Sequence, residues 1–145
     1  MLLRALAKQD YDQIVQVIDR WSGGPTSTLV HPLFFYELGH LALVVERESQ
    51  LVGFLFGFVT TAKPPVGYIH LLGIHPEFRR RGIGRLLYAK FEEDSRGSGC
   101  GTLKAMTTPG NETAMAFHRA LGFNVELLED YAGPGRPRIV FAKDL

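Results

Sequence analysis

A run of three arginines followed by two glycines is the feature of this sequence best suited to chemistry. Arg79-Arg80-Arg81 precedes Gly82-Ile83-Gly84, between an apolar run at 68–74 and a helical apolar pattern at 85–96. A strand that turns into a helix in this way leaves backbone N–H groups without partners, which favours phosphate. The glycines let the backbone approach a ligand closely, and arginine offers forked donors to phosphate oxygens. A surface loop that happens to carry arginines is the alternative interpretation.

Composition indicates an ordinary globular protein. The 145 residues are 46% hydrophobic and 21% charged, with a net charge of +1, so we expect one domain over residues 1–145. The positive charge is local, which suits a small polyanion and excludes nucleic acid as the main partner. Cys100 is the single cysteine, consistent with a structural role in a reducing compartment. The chain starts without a signal-peptide pattern, and its longest apolar run, Leu51–Val59, is too short to span a bilayer. We therefore expect a cytoplasmic protein with no membrane partner.

Hydrophobic periodicity and breaker residues predict the order of elements. The predicted strands are 2–7, 41–46, 51–60, 68–74, 102–107, 123–130 and 139–142, and the predicted helices are 10–21, 31–38, 85–96 and 111–121. Asp10 is the expected cap of the first helix. The mixed order predicts an α/β fold with a sheet of six to seven strands, part parallel and part antiparallel, and helices on both faces.

Two spaced motifs resemble those of the GNAT superfamily of N-acetyltransferases. The first is Arg79, Gly82 and Gly84; the second is Asn111, Ala114, Phe117 and Gly122-Phe123. The resemblance follows the element order of the whole chain and is strongest from Tyr68 to Phe123. It implies an acetyl-CoA-dependent enzyme whose sheet contains a splayed pair of parallel strands.

The resemblance also implies where acetyl-CoA binds. Its pyrophosphate would lie on the backbone amides of the arginine-glycine turn, and its pantetheine arm would pair with the strand before the turn. The Leu72 N–H would then face the thioester carbonyl as a catalytic donor. The implied cofactor-binding residues are Leu72, Gly73, Ile74, Arg79, Arg80, Arg81, Gly82, Ile83, Gly84, Arg85, Asn111 and Phe117.

Two histidines are candidates for proton transfer. In the family a tyrosine that follows the position of Phe117 often protonates the leaving thiolate, and here that position holds His118, which is either the replacement acid or a structural residue. His70 lies two residues before Leu72, so we expect it on the same side of the strand as a candidate base. Arylalkylamine N-acetyltransferases have a histidine at the same place, although Tyr68 stands where they have a second one. Glu46 is an alternative base, as is a chain of water.

The acceptor pocket carries the weakest sequence signal. Trp21 and the aromatic residues Phe34, Phe35 and Tyr36 fall where the family roofs this pocket. No acidic cluster is present to attract a polyamine. We expect a small amine or amino-acid-like acceptor, no metal, and a homodimer as the candidate assembly. The strongest competing function is a non-catalytic acyl-CoA sensor. Plain nucleotide binding is a weaker alternative, because the Gly-x-x-x-x-Gly-Lys-Ser/Thr pattern of a P-loop is absent.

Overall fold

The computed structural model describes all 145 residues and contains seven strands and four α-helices. In chain order the elements are β1 (Leu2–Ala5), α1 (Lys8–Ser22), α2 (Leu33–Tyr36), β2 (Leu43–Arg47), β3 (Gln50–Val59), β4 (Val66–Ile74), α3 (Ile83–Gly97), β5 (Thr102–Thr107), α4 (Glu112–Ala120), β6 (Asn124–Leu128) and β7 (Arg138–Asp144).

A single mixed sheet organises the molecule, with strand order β1-β2-β3-β4-β5-β7-β6. Only β4 and β5 pair in parallel; the other neighbours are antiparallel. Apolar residues of α1 pack on one face of the sheet with Phe54 and Phe56, while α3 packs on the other with Leu55 and Phe141. The predicted α/β fold, with helices on both faces of a seven-stranded sheet, is confirmed.

Two helix boundaries differ from the sequence prediction. Helix α1 begins at Lys8 with Ala7 as its cap, so Asp10 lies inside the first turn. Its carboxylate accepts the Ala7 N–H at 2.7 Å and pairs with Arg4, which satisfies a free donor from within the helix. The helix expected at 31–38 is reduced to one turn, α2, followed by a 3₁₀ turn at Gly39–Leu41. So short a helix forms only because its side chains pack on the sheet.

A β-bulge in β4 sets the geometry of the site. Leu71 pairs with Phe56, but Gly57 pairs with Ile69, so His70 has no partner on β3. Pairing between β4 and β5 stops at Tyr68 opposite Lys104. A bulge bends its strand and increases its twist, and the two parallel strands part beyond this point. The splayed parallel pair is therefore present.

The bulge also reverses the expected side of His70. Leu72 packs with the cluster under α3, whereas Leu71 packs with the cluster under α1. His70 stacks on Phe34 of α2, with ring centroids 3.8 Å apart, so it shares the face of Leu71. The prediction that His70 and Leu72 lie on the same side is wrong, because the extra residue interrupts the alternation on which it relied.

Residue 73 has to be glycine because the ring of Phe54, its neighbour on β3, occupies the space of a Cβ atom. A Cβ at this position would lie 2.3 Å from two carbons of the Phe54 ring, and Phe54 is fully buried against Trp21. The glycine therefore lets Phe54 cross β4 and complete the core under α1.

We predict that Gly73→Ala lowers the free energy of unfolding by about 1–3 kcal/mol, the usual cost of overpacking a core. The measurement is the free energy of unfolding from urea titration, compared between variants whose free energy has the same slope against urea concentration. Gly101→Ala is the control, because a Cβ there meets nothing within 4 Å and its φ is not positive. In the Phe54→Leu background the loss should shrink, since the clashing ring is gone. Equal losses at Gly73 and Gly101 would contradict the assignment.

Candidate active site

The parting of β4 from β5 leaves a free backbone edge. The His75 N–H donates to the Val52 carbonyl at 2.9 Å, and bonding alternates along an antiparallel pair. Gly73 therefore directs its N–H and C=O toward β3, while those of Leu72 and Ile74 face the gap. Of the three residues expected to pair with a pantetheine arm, Leu72 and Ile74 have the required orientation. Gly73 instead bonds within the sheet.

The arginine-glycine turn presents a continuous row of free donors. No backbone N–H from Arg79 to Arg85 donates to an acceptor within the protein. Arg80 and Gly82 both have left-handed backbones, with φ of 62° and 80°, and Gly82 caps α3. A left-handed arginine costs about 1 kcal/mol, and such strain is typical of ligand sites. Free amides in a row at a helix N-terminus have the geometry that suits an anion.

The arginines of this turn have different environments. The guanidinium of Arg79 donates to the carbonyl of Trp21, so it ties the turn to the end of α1. Arg81 lies over the ring of Phe78, 4.9 Å from its centroid. Arg80 and Arg85 have no carboxylate within ion-pair distance. Backbone amides together with Arg80 and Arg85 are therefore the groups most free to meet phosphate.

The second motif holds α4 against the turn. Asn111 caps α4 by accepting the Ala114 N–H at 3.1 Å and donates to Thr107 at the end of β5. The ring of Phe117 would lie 3.2 Å from a Cβ at Gly84, so this glycine admits the ring as well as freeing the turn. Both Asn111 and Phe117 line the same cleft as the turn.

His70 is held in one tautomer. Its Nε2 lies 2.7 Å from the Leu29 carbonyl, which can only accept, so Nε2 carries the hydrogen. Burial lowers the pKa of His70, an effect that the bond to Leu29 partly offsets. The ring is therefore neutral at pH 7, and Nδ1 has a lone pair without a partner in the protein. This is the state that a general base requires.

His118 is buried with both ring nitrogens occupied. Nδ1 lies 2.7 Å from the Ala114 carbonyl and Nε2 lies 2.8 Å from the Tyr88 hydroxyl. Burial lowers the pKa of His118, and it raises the pKa of Tyr88 strongly. In the neutral ring Nδ1–H donates to Ala114, so the Tyr88 hydroxyl donates to Nε2. The ring also stacks on Phe141 at 3.8 Å. Neutral His118 consequently has no free proton to give.

Two other histidines and the alternative base Glu46 lie in structural or exposed positions. His75 accepts the Glu77 N–H and packs its ring on Trp21, while His40 is exposed on a 3₁₀ turn. Glu46, on β2, forms an ion pair with Arg4 of β1 and does not line the cleft. The structure therefore does not bring the alternative base Glu46 to the site.

A cleft of about 1100 Å³ connects the strand edge, the turn and the two candidate histidines. It runs past the free edge of β4, the arginine-glycine turn, His70 and His118. Tyr88 of α3 and Arg138 of β7 also line the cleft. The sequence motifs did not include them, because neither belongs to a motif and they lie on separate elements. No group of three or more His, Cys, Asp or Glu is placed to hold a metal ion. None of the helices is long and apolar enough to cross a membrane.

Solved structures with this fold include several acetyltransferases. The ribosomal-protein-S18-alanine N-acetyltransferase of Escherichia coli is 20% identical, with a TM-score of 0.81 over 99% of this chain and 92% of that one. Naa20 of Chaetomium thermophilum, in complex with a bisubstrate analogue, is 19% identical with a TM-score of 0.81, covering 100% and 87% of the two chains. An aminoglycoside 6'-N-acetyltransferase complexed with coenzyme A is 18% identical with a TM-score of 0.77, covering 99% and 97%.

The family itself is shown by a sequence-family match. Residues 9–123, most of the chain and both motifs, match the model of the acetyltransferase (GNAT) family. The free strand edge and the row of unpartnered amides fit the acyl donor that this family uses. The chain therefore belongs to the GNAT family of acyltransferases, whose acyl donor is acetyl-CoA.

Proposed function

We propose that residues 1–145 act as one N-acetyltransferase domain that moves an acetyl group to a primary amine of a small molecule or amino-acid-like acceptor. The observation that carries this proposal is the meeting of three features in one cleft. These are the free edge of β4 at Leu72 and Ile74, the unpartnered amides of the turn, and a neutral His70 with a free lone pair. A single cysteine suits the proposed cytoplasmic location. A homodimer stays a prediction.

The turn and the strand edge would hold the donor. When bound, acetyl-CoA supplies the acetyl group as a thioester. The amides from Arg79 to Gly84 bind its phosphates, with Arg80 and Arg85 adding charge and Asn111 and Phe117 shaping the same wall. Leu72 and Ile74 pair with the pantetheine arm, and the Leu72 N–H donates to the carbonyl oxygen, where negative charge develops during attack.

His70 would act as the base. Its Nδ1 takes a proton from the incoming ammonium, directly or through one water, so that the nitrogen lone pair becomes available. The amine nitrogen then bonds to the carbonyl carbon and releases its second proton to solvent, the carbon–sulfur bond breaks, and coenzyme A leaves as a thiolate. The face of His70 supports this role, because Ile18 and Trp21 of α1 line the same cleft and pack in the cluster on that face.

His118 is better suited to a positioning role than to proton donation. As an acid it would have to be an imidazolium, and its lowered pKa restricts that form to pH values below about 6.5. Its bond to Tyr88 instead holds α4 against α3, while the bond to Ala114 within α4 orients the ring. The leaving thiolate would then take its proton from solvent. The acid hypothesis from the sequence remains the alternative outcome of the test below.

We predict that acetyl-CoA protects the fold against heat and that Gly82→Val abolishes this protection. A ligand at 100 times its Kd stabilises the native state by about 2.7 kcal/mol, and a β-branched side chain at Gly82 blocks access to the amides. Gly99→Val is the matched control, because Gly99 has the same left-handed backbone and equally open surroundings but lies beyond the other end of α3. The readout is the ligand-induced shift in Tm, so loss of basal stability does not confuse it. Equal shifts in both variants would contradict the turn as the phosphate site.

We predict that some primary amine raises thiol release well above the rate of acetyl-CoA hydrolysis.

We also predict that His70→Gln lowers turnover with that amine by about 10²–10⁴-fold. The difference in rate between the variant and the wild type should become smaller at high pH, where the amine deprotonates without a base. For the wild type, kcat/KM should rise with pH through a pKa below 6.5 and then level off. His40→Gln is the control on an exposed residue. Tight acetyl-CoA binding with no amine-dependent rate across a broad panel would favour the sensor.

We predict that His118→Phe loses about 1–3 kcal/mol of stability, because the buried Tyr88 hydroxyl loses its acceptor, and that adding Tyr88→Phe restores most of it. Wild-type stability should also fall as the pH drops below 6.5, because the unfolded chain then binds a proton that buried His118 resists. Thiol release at pH 8 should persist in the double variant. Two results together would restore His118 as the acid: turnover reduced by roughly 10²-fold or more at unchanged stability, and wild-type activity that disappears above pH 6.5.

A further inference from the structure

The charged residues that line the cleft are all positive. They are Arg79, Arg80, Arg85 and Arg138, and no aspartate or glutamate lines it. The first three belong to the turn that precedes or opens α3. Arg138 is separate from them, because it begins β7, two strands away from β4 in the sheet. It needs a different explanation from the phosphate turn.

The strand register puts Arg138 beside the gap. Ile139 pairs with Thr107, the last residue of β5, so Arg138 lies just past the point where β5 ends. Ile139 and Phe141 both face the core under α3. By the alternation of a strand, Arg138 lies on the opposite face, the face of His70. A candidate base and an arginine thus share one side of the sheet in one cleft.

The guanidinium of Arg138 has unused donors. One Nη1–H bonds to the carbonyl of the preceding Pro137 at 2.8 Å, and no carboxylate lies within ion-pair distance. The residue is half-buried. Elsewhere, partly buried cations such as Arg4 and Lys143 have carboxylate partners. Arg138 is therefore a cation in a cleft whose planar fork is free to bind an anion.

We propose that Arg138 binds a carboxylate of the acceptor, so that the acceptor is a small molecule with both a primary amine and a carboxylate, as in α-amino acids. The inference rests on the proposed transferase function and names its substrate class. An arginine fork matches a carboxylate with two parallel hydrogen bonds. A polycationic acceptor would be repelled by this arginine and would find no carboxylate in the cleft to hold its additional ammonium groups.

The test compares α-amino acids with their carboxamides and with an α,ω-diamine, all measured by thiol release. For the wild type, kcat/KM should favour the amino acid over its amide by roughly 10- to 100-fold, as expected for hydrogen bonds to a charged group. Arg138→Gln should remove this preference mainly by raising KM for the amino acid, with Arg138→Lys intermediate. The KM for acetyl-CoA should not change. Arg136→Gln is the matched control, since Arg136 is exposed and lies outside the cleft.

A binding readout separates this inference from the proposed function. In the presence of coenzyme A, an N-acetyl amino acid should raise Tm more than its amide, and Arg138→Gln should remove the difference without any turnover. If this difference in Tm is observed but no amine supports turnover, the proposed transferase function is refuted and the carboxylate site at Arg138 is retained. Equal use of amides or diamines, a raised KM for acetyl-CoA in Arg138→Gln, or a preference for peptides with an acidic second residue over all free amino acids would overturn the inference.

Discussion

The parting of β4 from β5 after Tyr68 is the constraint on which the site depends. A strand edge inside a protein carries N–H and C=O groups that need partners. Here β4 continues to Ile74 while bonded only to β3, so the groups of Leu72 and Ile74 remain for a ligand. The bulge at His70 supplies the bend. An extended ligand that adds as a strand would restore the missing bonds, which is the physical basis of the acyl-donor site proposed above.

The same bulge assigns the two faces of the sheet to different tasks. Leu72 and Ile74 pack toward α3, the side on which the phosphate turn begins its helix. His70 and Leu71 both face α1 and α2, and His70 stacks on Phe34 there. The proposed donor-binding groups and the candidate base thus approach the gap from opposite faces. In a strand with regular alternation, His70 would lie with Leu72 on the donor side.

Several residues of the two motifs also make packing contacts that hold the fold together. Gly84 leaves room for Phe117, and Asn111 caps α4 while it contacts the end of β5. The guanidinium of Arg79 ties the turn to α1. These contacts fix the turn relative to the strand edge before any ligand binds. Preorganised donors lose little conformational freedom on binding, so the affinity of the site depends on the core beneath it.

The sequence by itself determined the element order, the mixed sheet and the family, because periodicity and motif spacing are local properties that survive into the fold. Two glycines at a strand-to-helix junction likewise predicted a tight turn there, and anion binding at this turn stays a prediction. Only the tertiary structure decided the side of His70, since one unpaired residue reverses a strand's alternation. Only it brought Tyr88 to His118, and Arg138 to the gap, because those neighbours belong to different elements. The charge and tautomer of the histidines also depend on burial, which no spacing in the sequence records.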